Sequence, residues 1–150
     1  MCHGGTYTSH TEVCNRDYRA GLSNLTVTPD QLVIAFIAPL WGDALNKSTG
    51  LDLRYTTPPI TEIVDFLIGI VGKNPLLCAI QVYETLNPAS LAELTPRFSW
   101  SAQRMYGLNA PGQNHGLLMG TRMGALGRRS LTGPGAVIDR RHRISVAFPA

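Results

Sequence analysis

The chain has 150 residues, of which 44% are hydrophobic and only 15% are charged, and its formal net charge is +3. This length suits a single domain with a real hydrophobic core, so we predict one domain over residues 1–150. Three cysteines give no even disulfide framework and no signal peptide is visible. These features argue against a secreted disulfide scaffold and favour a reducing, cytoplasmic interior.

The N-terminal segment, residues 1–27, is polar and irregular, and we predict short strands at 6–11 and 25–28 because threonine and tyrosine suit a pleated surface. Four residues in this segment are of types that bind zinc: Cys2, His3, His10 and Cys14. Structural zinc is usually held by closely spaced ligand pairs with a gap of two to four residues, which adjacent Cys2 and His3 do not provide. We therefore expect no metal and no cofactor.

Residues 28–106 form the predicted helical core, because a side-chain acceptor precedes a proline five times, as it does where helices begin. The five pairs are Thr28-Pro29, Thr57-Pro58, Asn74-Pro75, Asn87-Pro88 and Thr95-Pro96. The corresponding helices are predicted at 29–46, 58–71, 75–86, 88–94 and 96–106. Residues 51–55 alternate in polarity and are interpreted as a short strand.

The most apolar stretch covers residues 57–86 and predicts two buried helices joined at Gly72. Asp65 and Lys73 interrupt it, and neither half reaches the roughly 20 apolar residues that a membrane span requires. We therefore predict core helices and no membrane partner. The residues expected to be largely buried are Ile63, Phe66, Leu67, Ile70, Leu77, Ile80 and Val82.

The last predicted helix, 96–106, places Arg97, Trp100 and Arg104 on one face, at spacings of three and four residues. Two interpretations are open. An exposed indole between guanidinium groups stacks on bases and neutralises phosphates. Alternatively, Trp100 belongs to the core and the two arginines extend past it into water.

The C-terminal third changes character at Gly107. Residues 107–135 are rich in glycine and arginine, and within them 115–131 is interpreted as a loop or a glycine-weakened helix. Residues 136–150 contain a predicted strand, in which Ile144, Val146 and Phe148 alternate with small residues. A hairpin with 136–138 is a further expectation.

Charge is segregated along the chain. Residues 1–103 hold six Lys/Arg against nine Asp/Glu, a net of −3, whereas 104–150 hold seven arginines against Asp139 alone, a net of +6. Arginine suits bidentate phosphate contacts, so this third is the predicted contact with a single-stranded nucleic acid or another polyanion. The predicted contact residues are Arg97, Trp100, Arg104, Arg122, Arg128, Arg129, Arg140, Arg141 and Arg143.

One resemblance to a known family is local. Residues 28–33 (TPDQLV), followed by Trp41-Gly42-Asp43, resemble the opening helix of the tobamovirus-type rod coat proteins. A later stretch of that family is similar in order to Arg54-Tyr55, Ile63-Val64, Leu67, Gly69, Asn74 and 87–94. In that family the arginines that follow contact RNA, which implies such a role for Arg97 and Arg104.

The predicted fold is mainly α, with about five helices, minor β structure at the N-terminus and a C-terminal strand or hairpin; an α+β fold is the alternative.

The predicted function is a non-catalytic assembly or nucleic-acid-binding protein, coat-protein-like and homo-oligomeric. Whether the protein is an enzyme is left open, since no catalytic motif emerges. The alternative is a small α+β enzyme or ligand-binding domain with a cleft between its helices and C-terminal strands. Its candidate polar groups are Asp65, Tyr83, Trp41 and His115.

Overall fold

A computed structural model describes residues 17–106, 115–124 and 143–148. Its helices are α1 (Tyr18–Leu22), α2 (Ile60–Val71) and α3 (Pro88–Leu94), with short 3-10 helices at Gly42–Ala44 and Thr95–Arg97. Its strands are β1 (Leu32–Ile37), β2 (Leu45–Asn46), β3 (Gly50–Leu51), β4 (Leu76–Tyr83), β5 (Trp100–Tyr106), β6 (His115–Arg122) and β7 (Arg143–Phe148).

Five of these strands form one mixed sheet in the order β5-β6-β4-β1-β7. The central strand pair, β1 and β4, is parallel, and β7 continues the parallel set on the other side of β1. β6 is antiparallel to both β4 and β5. The connection from β1 to β4 contains α2, as a parallel pair requires, because the chain must return to the same edge of the sheet.

The main helix, α2, packs on one face of this sheet. Its apolar residues recur every three or four positions, so one stripe of the helix is apolar. The buried members of that stripe are Ile60, Ile63, Val64, Leu67 and Val71. They meet the fully buried residues Val33, Ala35 and Ile37 of β1 and Leu76, Cys78, Ile80 and Val82 of β4 in one core.

The sheet therefore has two unlike faces. Because successive strand residues point to opposite sides, the residues that alternate with the core positions share the other face, called the open face below. It consists of Leu32, Ile34, Phe36, Leu77, Ala79, Gln81, Tyr83, Trp100, Ala102, Arg104, Tyr106, His115, Leu117, Met119 and Thr121. All of these except Tyr83 are half-buried or exposed. Within the described ranges, α2 and the residues packed with it lie on the covered face alone.

The small sheet of β2 and β3 is attached beside the end of β4. The Leu51 backbone N–H donates to the Thr85 carbonyl, and the Asn87 N–H donates to the Leu51 carbonyl. Gly50 adopts a φ of +88°, and a Cβ there would lie 2.8 Å from the Thr85 carbonyl oxygen. Glycine is therefore required at this crossing of two backbones.

The prediction of a mainly α fold with about five helices is wrong. Two of the five helices are confirmed, since α2 lies within 58–71 and α3 has the bounds 88–94. The other three regions contain β1, β4 and β5 instead. A short, continuously apolar run fits a buried strand as well as a buried helix. Here β1 and β4 are strands because each forms backbone hydrogen bonds to a neighbouring strand on both sides.

The proline signals failed for a local reason. Asn87 does cap α3, its side chain accepting from the Ala89 and Ser90 N–H groups. By contrast, Asn74 accepts from the distant Asp30 N–H, and the strand β4 follows it. A polar residue before proline therefore does not by itself distinguish a turn from a helix start.

Several remaining expectations are settled by the strands. The first residues of 115–131 form β6, neither loop nor helix, and residues 25–28 form no strand. The predicted C-terminal strand is confirmed as β7, which pairs in parallel with β1. The proposed hairpin partner 136–138, the predicted strand 6–11 and the four candidate zinc ligands lie outside the described residues.

The resemblance to rod coat proteins does not extend to the fold. Residues 32 and 33 of the stretch that resembles the family's opening helix begin β1, and the later stretch includes α2, which is followed by a strand.

In the described part of the chain no helix is long and apolar enough to cross a membrane.

Candidate functional site

The edge strand β5 presents three polar or aromatic side chains on the open face. Trp100, Arg104 and Tyr106 stand at alternate positions, together with Ala102. Trp100 is 53% exposed and Tyr106 is 47% exposed, so both rings meet solvent. Trp100 is therefore not a core residue, and the interpretation that placed it in the core is wrong.

Glycines in β6 explain why the intervening residues of β5 lie on the covered face. A Cβ at Gly120 would lie 2.5 Å from the Phe98 ring, and one at Gly116 would lie 2.6 Å from the Met105 sulfur. Phe98 and Met105 occupy the space that side chains would otherwise fill. This packing directs Phe98 and Met105 to the α2 side of the sheet, where Met105 is still 44% exposed, and it places Trp100, Arg104 and Tyr106 on the other side.

A row of aromatic rings crosses the sheet where β4 and β5 end and β6 begins. Tyr106 is the register partner of His115, and His115 is the register partner of Tyr83. The Trp41 ring lies over this row, 5.0 Å from the His115 ring and 6.0 Å from the Tyr83 ring, the latter at an interplanar angle of 73°. The aromatic row (Tyr83, Tyr106 and His115, with Trp41 over it) is thus continuous with the open face.

Trp41 packs against one end of the row, on Tyr83 and His115, and it carries a buried polar atom. Its indole Nε1 is buried and has no hydrogen-bond partner among the described residues. The ring also covers Tyr83, which is only 5% exposed. Burial, followed by the neighbouring Glu84 carboxylate, raises the pKa of the Tyr83 hydroxyl.

The charge of the open face is one-sided. None of its fifteen positions is Asp or Glu, whereas Glu62 and Asp65 lie on α2, on the helical side. Arg104 is exposed, and among the described residues its guanidinium donates only a long hydrogen bond of 3.4 Å, to the Gln103 carbonyl. It takes part in no ion pair with the described residues. Among the described positions of this face, a polyanion would meet Arg104 and no carboxylate.

The structure separates Arg97 from the other predicted contact residues. Its guanidinium donates to both carboxylate oxygens of Asp65, at 2.7 and 2.8 Å, and to the Glu93 carbonyl. Arg97 lies in a 3-10 helix beside α2, whereas Trp100 and Arg104 lie on β5. The single helix face predicted for these three residues does not exist.

Arg122 and Arg143 reach the same end of the sheet from different strands. Arg122, the last residue of β6, pairs with Leu76 of β4, and Leu76 pairs in turn with Val33 of β1. Arg143, the first residue of β7, pairs with Leu32, which precedes Val33 in β1. Trp100 also belongs to this end, since its register partner is Thr121. Arg128, Arg129, Arg140 and Arg141 lie outside the described residues.

Sequence reasoning missed Tyr106 and Phe36 as surface residues. Both would have emerged from a period of two, which places Tyr106 with Trp100 and Arg104 and places Phe36 opposite the core position Ile37. The candidate cleft groups Trp41, Tyr83 and His115 are brought together. Asp65, the fourth, is not among them, because it bonds to Arg97.

In the described part of the chain, no three His, Cys, Asp or Glu side chains come together as a metal site. Comparison with protein-family models, curated proteins and solved structures finds no match to this chain.

Proposed function

We propose that this is a non-catalytic protein that binds single-stranded nucleic acid across the open face of its sheet. The observation that carries the proposal is the joint exposure of Trp100, Arg104 and Tyr106 on one face of β5. Exposed aromatic rings on a sheet, with an arginine between them, offer stacking surfaces for bases and a cation for the backbone.

The spacing suits an unpaired strand better than a duplex. Tyr106 lies six positions after Trp100 in β5, which corresponds to about 20 Å at the usual strand rise. Bases can stack at both positions only if they are free of a complementary strand, and a flat sheet face does not enter a duplex groove. Apolar residues between them, such as Leu117 and Met119, contact sugar and base faces without sequence preference.

Charge supports the same proposal. Residues 104–150 carry a net charge of +6, and the open face holds no Asp or Glu among its described positions. Arg104 is the phosphate contact on β5. Arg122, at the end of β6, pairs with the core residue Leu76 and so lies on the other side of the sheet; it would meet only a strand that passes the end of β6. We propose that the glycine- and arginine-rich residues that follow, including Arg128 and Arg129, extend this contact.

The test is the binding of a generic single-stranded oligonucleotide, followed by fluorescence anisotropy across a salt series. Trp100→Ala and Tyr106→Ala should each weaken binding about 5- to 150-fold, because loss of one stacking contact costs about 1–3 kcal/mol. Arg104→Gln should reduce the slope of log affinity against log salt by about 0.7, the value for one single-strand phosphate contact.

Tyr55→Ala is the matched control, because Tyr55 is 68% exposed but lies in a turn away from the open face. It should leave affinity unchanged. Replacing Arg128, Arg129, Arg140 and Arg141 together by glutamine should flatten the salt slope by up to about 3. Absence of binding at low salt would refute the proposal, as would binding that both aromatic substitutions leave intact.

The aromatic row supports a second candidate function, a small-ligand site. It lies where the parallel strands β1 and β4 end, the usual place for ligands on such sheets, and the buried Trp41 Nε1 lacks an acceptor. A heterocycle that accepts a hydrogen bond should raise the melting temperature of the wild type and not of Trp41→Phe, which keeps a ring and loses the donor. Equal shifts in both proteins would exclude this site.

A further inference from the structure

The strand β5 is an edge of the main sheet, with β6 on one side. Among the described residues, no strand pairs with its other side. In an edge strand, every second residue directs its backbone N–H and C=O away from the sheet, and these groups form a template for another strand.

The outer edge of β5 lacks the features that keep natural edges from pairing. Such edges are usually protected by proline, by lysine, by a bulge or by inward-pointing charges. β5 has seven residues, WSAQRMY, with no proline, no lysine and one charge, Arg104. Its register with β6 runs without interruption from Trp100 to Tyr106. As far as the described residues show, the edge is therefore straight, long and open to pairing.

The sequence of β5 is complementary to itself when read in the opposite direction. We propose that two copies of this chain pair through β5, antiparallel, with Gln103 at the two-fold axis. Trp100 of each copy then faces Tyr106 of the other, and aromatic cross-strand pairs stabilise a sheet. Arg104 faces Ala102, so the two arginines avoid each other.

The symmetry of this pairing determines where the two open faces lie. Antiparallel edges can be joined only by a two-fold axis perpendicular to the sheet, so both open faces point to the same side. The result is one ten-stranded sheet with Trp100 and Tyr106 of both copies along the seam. That this seam lengthens a nucleic-acid platform rests on the function proposed above; the pairing itself does not.

The first measurement is the molar mass of the full chain by light scattering over a range of concentrations, without nucleic acid. We expect a monomer–dimer equilibrium with a dissociation constant on the order of micromolar, because one strand a side makes a small interface. A monomer at all concentrations would overturn the pairing. Oligonucleotide binding by such a monomer would leave the proposed function standing.

Two substitutions at one position test the register. Ala102→Arg places like charges opposite each other twice per dimer and should raise the dissociation constant about 2- to 30-fold. Ala102→Glu should lower it by a similar factor, because each carboxylate then faces Arg104. Both substitutions should leave the fold intact, because residue 102 lies on the open face and not in the core. A dimer that responds equally to both substitutions would overturn the proposed register.

Cross-linking locates the axis directly. Gln103→Cys, in a chain with Cys2 and Cys14 replaced by serine, should form an intermolecular disulfide on oxidation. In the proposed register, residue 103 of one copy lies opposite residue 103 of the other. Ser101→Cys is the matched control on the same face of β5 and should not cross-link, because it faces Met105. Cross-linking at 101 and not at 103 would refute this register.

Discussion

The Arg97 guanidinium is bound by the Asp65 carboxylate through two hydrogen bonds, of 2.7 and 2.8 Å. This pair joins α2 to the 3-10 helix that follows α3, across 32 residues of sequence. It leaves Arg97 engaged in an internal ion pair. The bond also explains why an arginine that looks suited to phosphate lies away from the open face.

Asp65→Asn should lower the free energy of unfolding by about 0.5–1 kcal/mol at neutral pH, since the pair is bidentate but partly exposed to solvent. The hydrogen bonds from Arg97 hold the pKa of the Asp65 carboxyl below its usual 3.8. The stabilisation is therefore fully present above pH 3.8 and disappears as pH falls through the lowered value. Urea unfolding of both proteins over this range measures it.

The control for this prediction is Asp43→Asn, which changes an exposed carboxylate that forms no ion pair with the described residues. It should leave stability within about 0.5 kcal/mol of the wild type. A stability difference for Asp65→Asn that persists at a pH where the Asp65 carboxyl of the wild type is protonated would show that the ion pair is not its cause.

Gly120→Ala and Gly69→Ala should change stability in opposite directions. A Cβ at Gly120 meets the Phe98 ring at 2.5 Å, so overpacking should cost about 1–3 kcal/mol. A Cβ at Gly69, on the exposed side of α2, meets nothing within 4 Å. Alanine there should add about 0.5–1 kcal/mol, because it loses less backbone entropy in a helix than glycine does. Chemical denaturation of the two variants decides the matter.

Ile80→Ala and Leu77→Ala test which face of β4 is covered. Ile80 is fully buried against α2, so Ile80→Ala should lower the free energy of unfolding by about 2–5 kcal/mol. Leu77, on the open face, is only half-buried and should cost clearly less. Similar losses from the two variants in thermal unfolding would mean that a further layer covers the open face.

Cys78 should resist alkylation in the folded protein. It is fully buried in the core on β4, the strand between β1 and β6, and burial raises the pKa of its thiol to about 12. The thiolate, which is the reactive form, is therefore scarce at pH 8 as well as inaccessible. Mass spectrometry of the peptide containing Cys78, after iodoacetamide treatment with and without denaturant, should show modification only with denaturant. Rapid labelling of the native protein would contradict this placement.

How much of the fold the sequence could predict depended on the length and pattern of each segment. α2 was predictable because its apolar residues keep helical spacing over twelve residues. α3 was predictable because Asn87 and Pro88 start it in the usual way. β4 was not, because its apolar run lacks a distinguishing period, and its identity depends on hydrogen bonds to β1 and β6.

The candidate site divides in the same way. A spacing of four residues puts Trp100 and Arg104 on one side of either a helix or a strand, so their association was determined by the sequence alone. Arg97 joined them only under the helical period, and Tyr106 joins them only under the period of two. The sequence by itself thus determined that the C-terminal third is basic and that Trp100 and Arg104 lie on one side of their element. Only the tertiary structure decided that these residues face solvent on one side of the sheet, because the pairing of β5 with β6 and the packing of Phe98 on Gly120 determine which side of β5 lies toward α2.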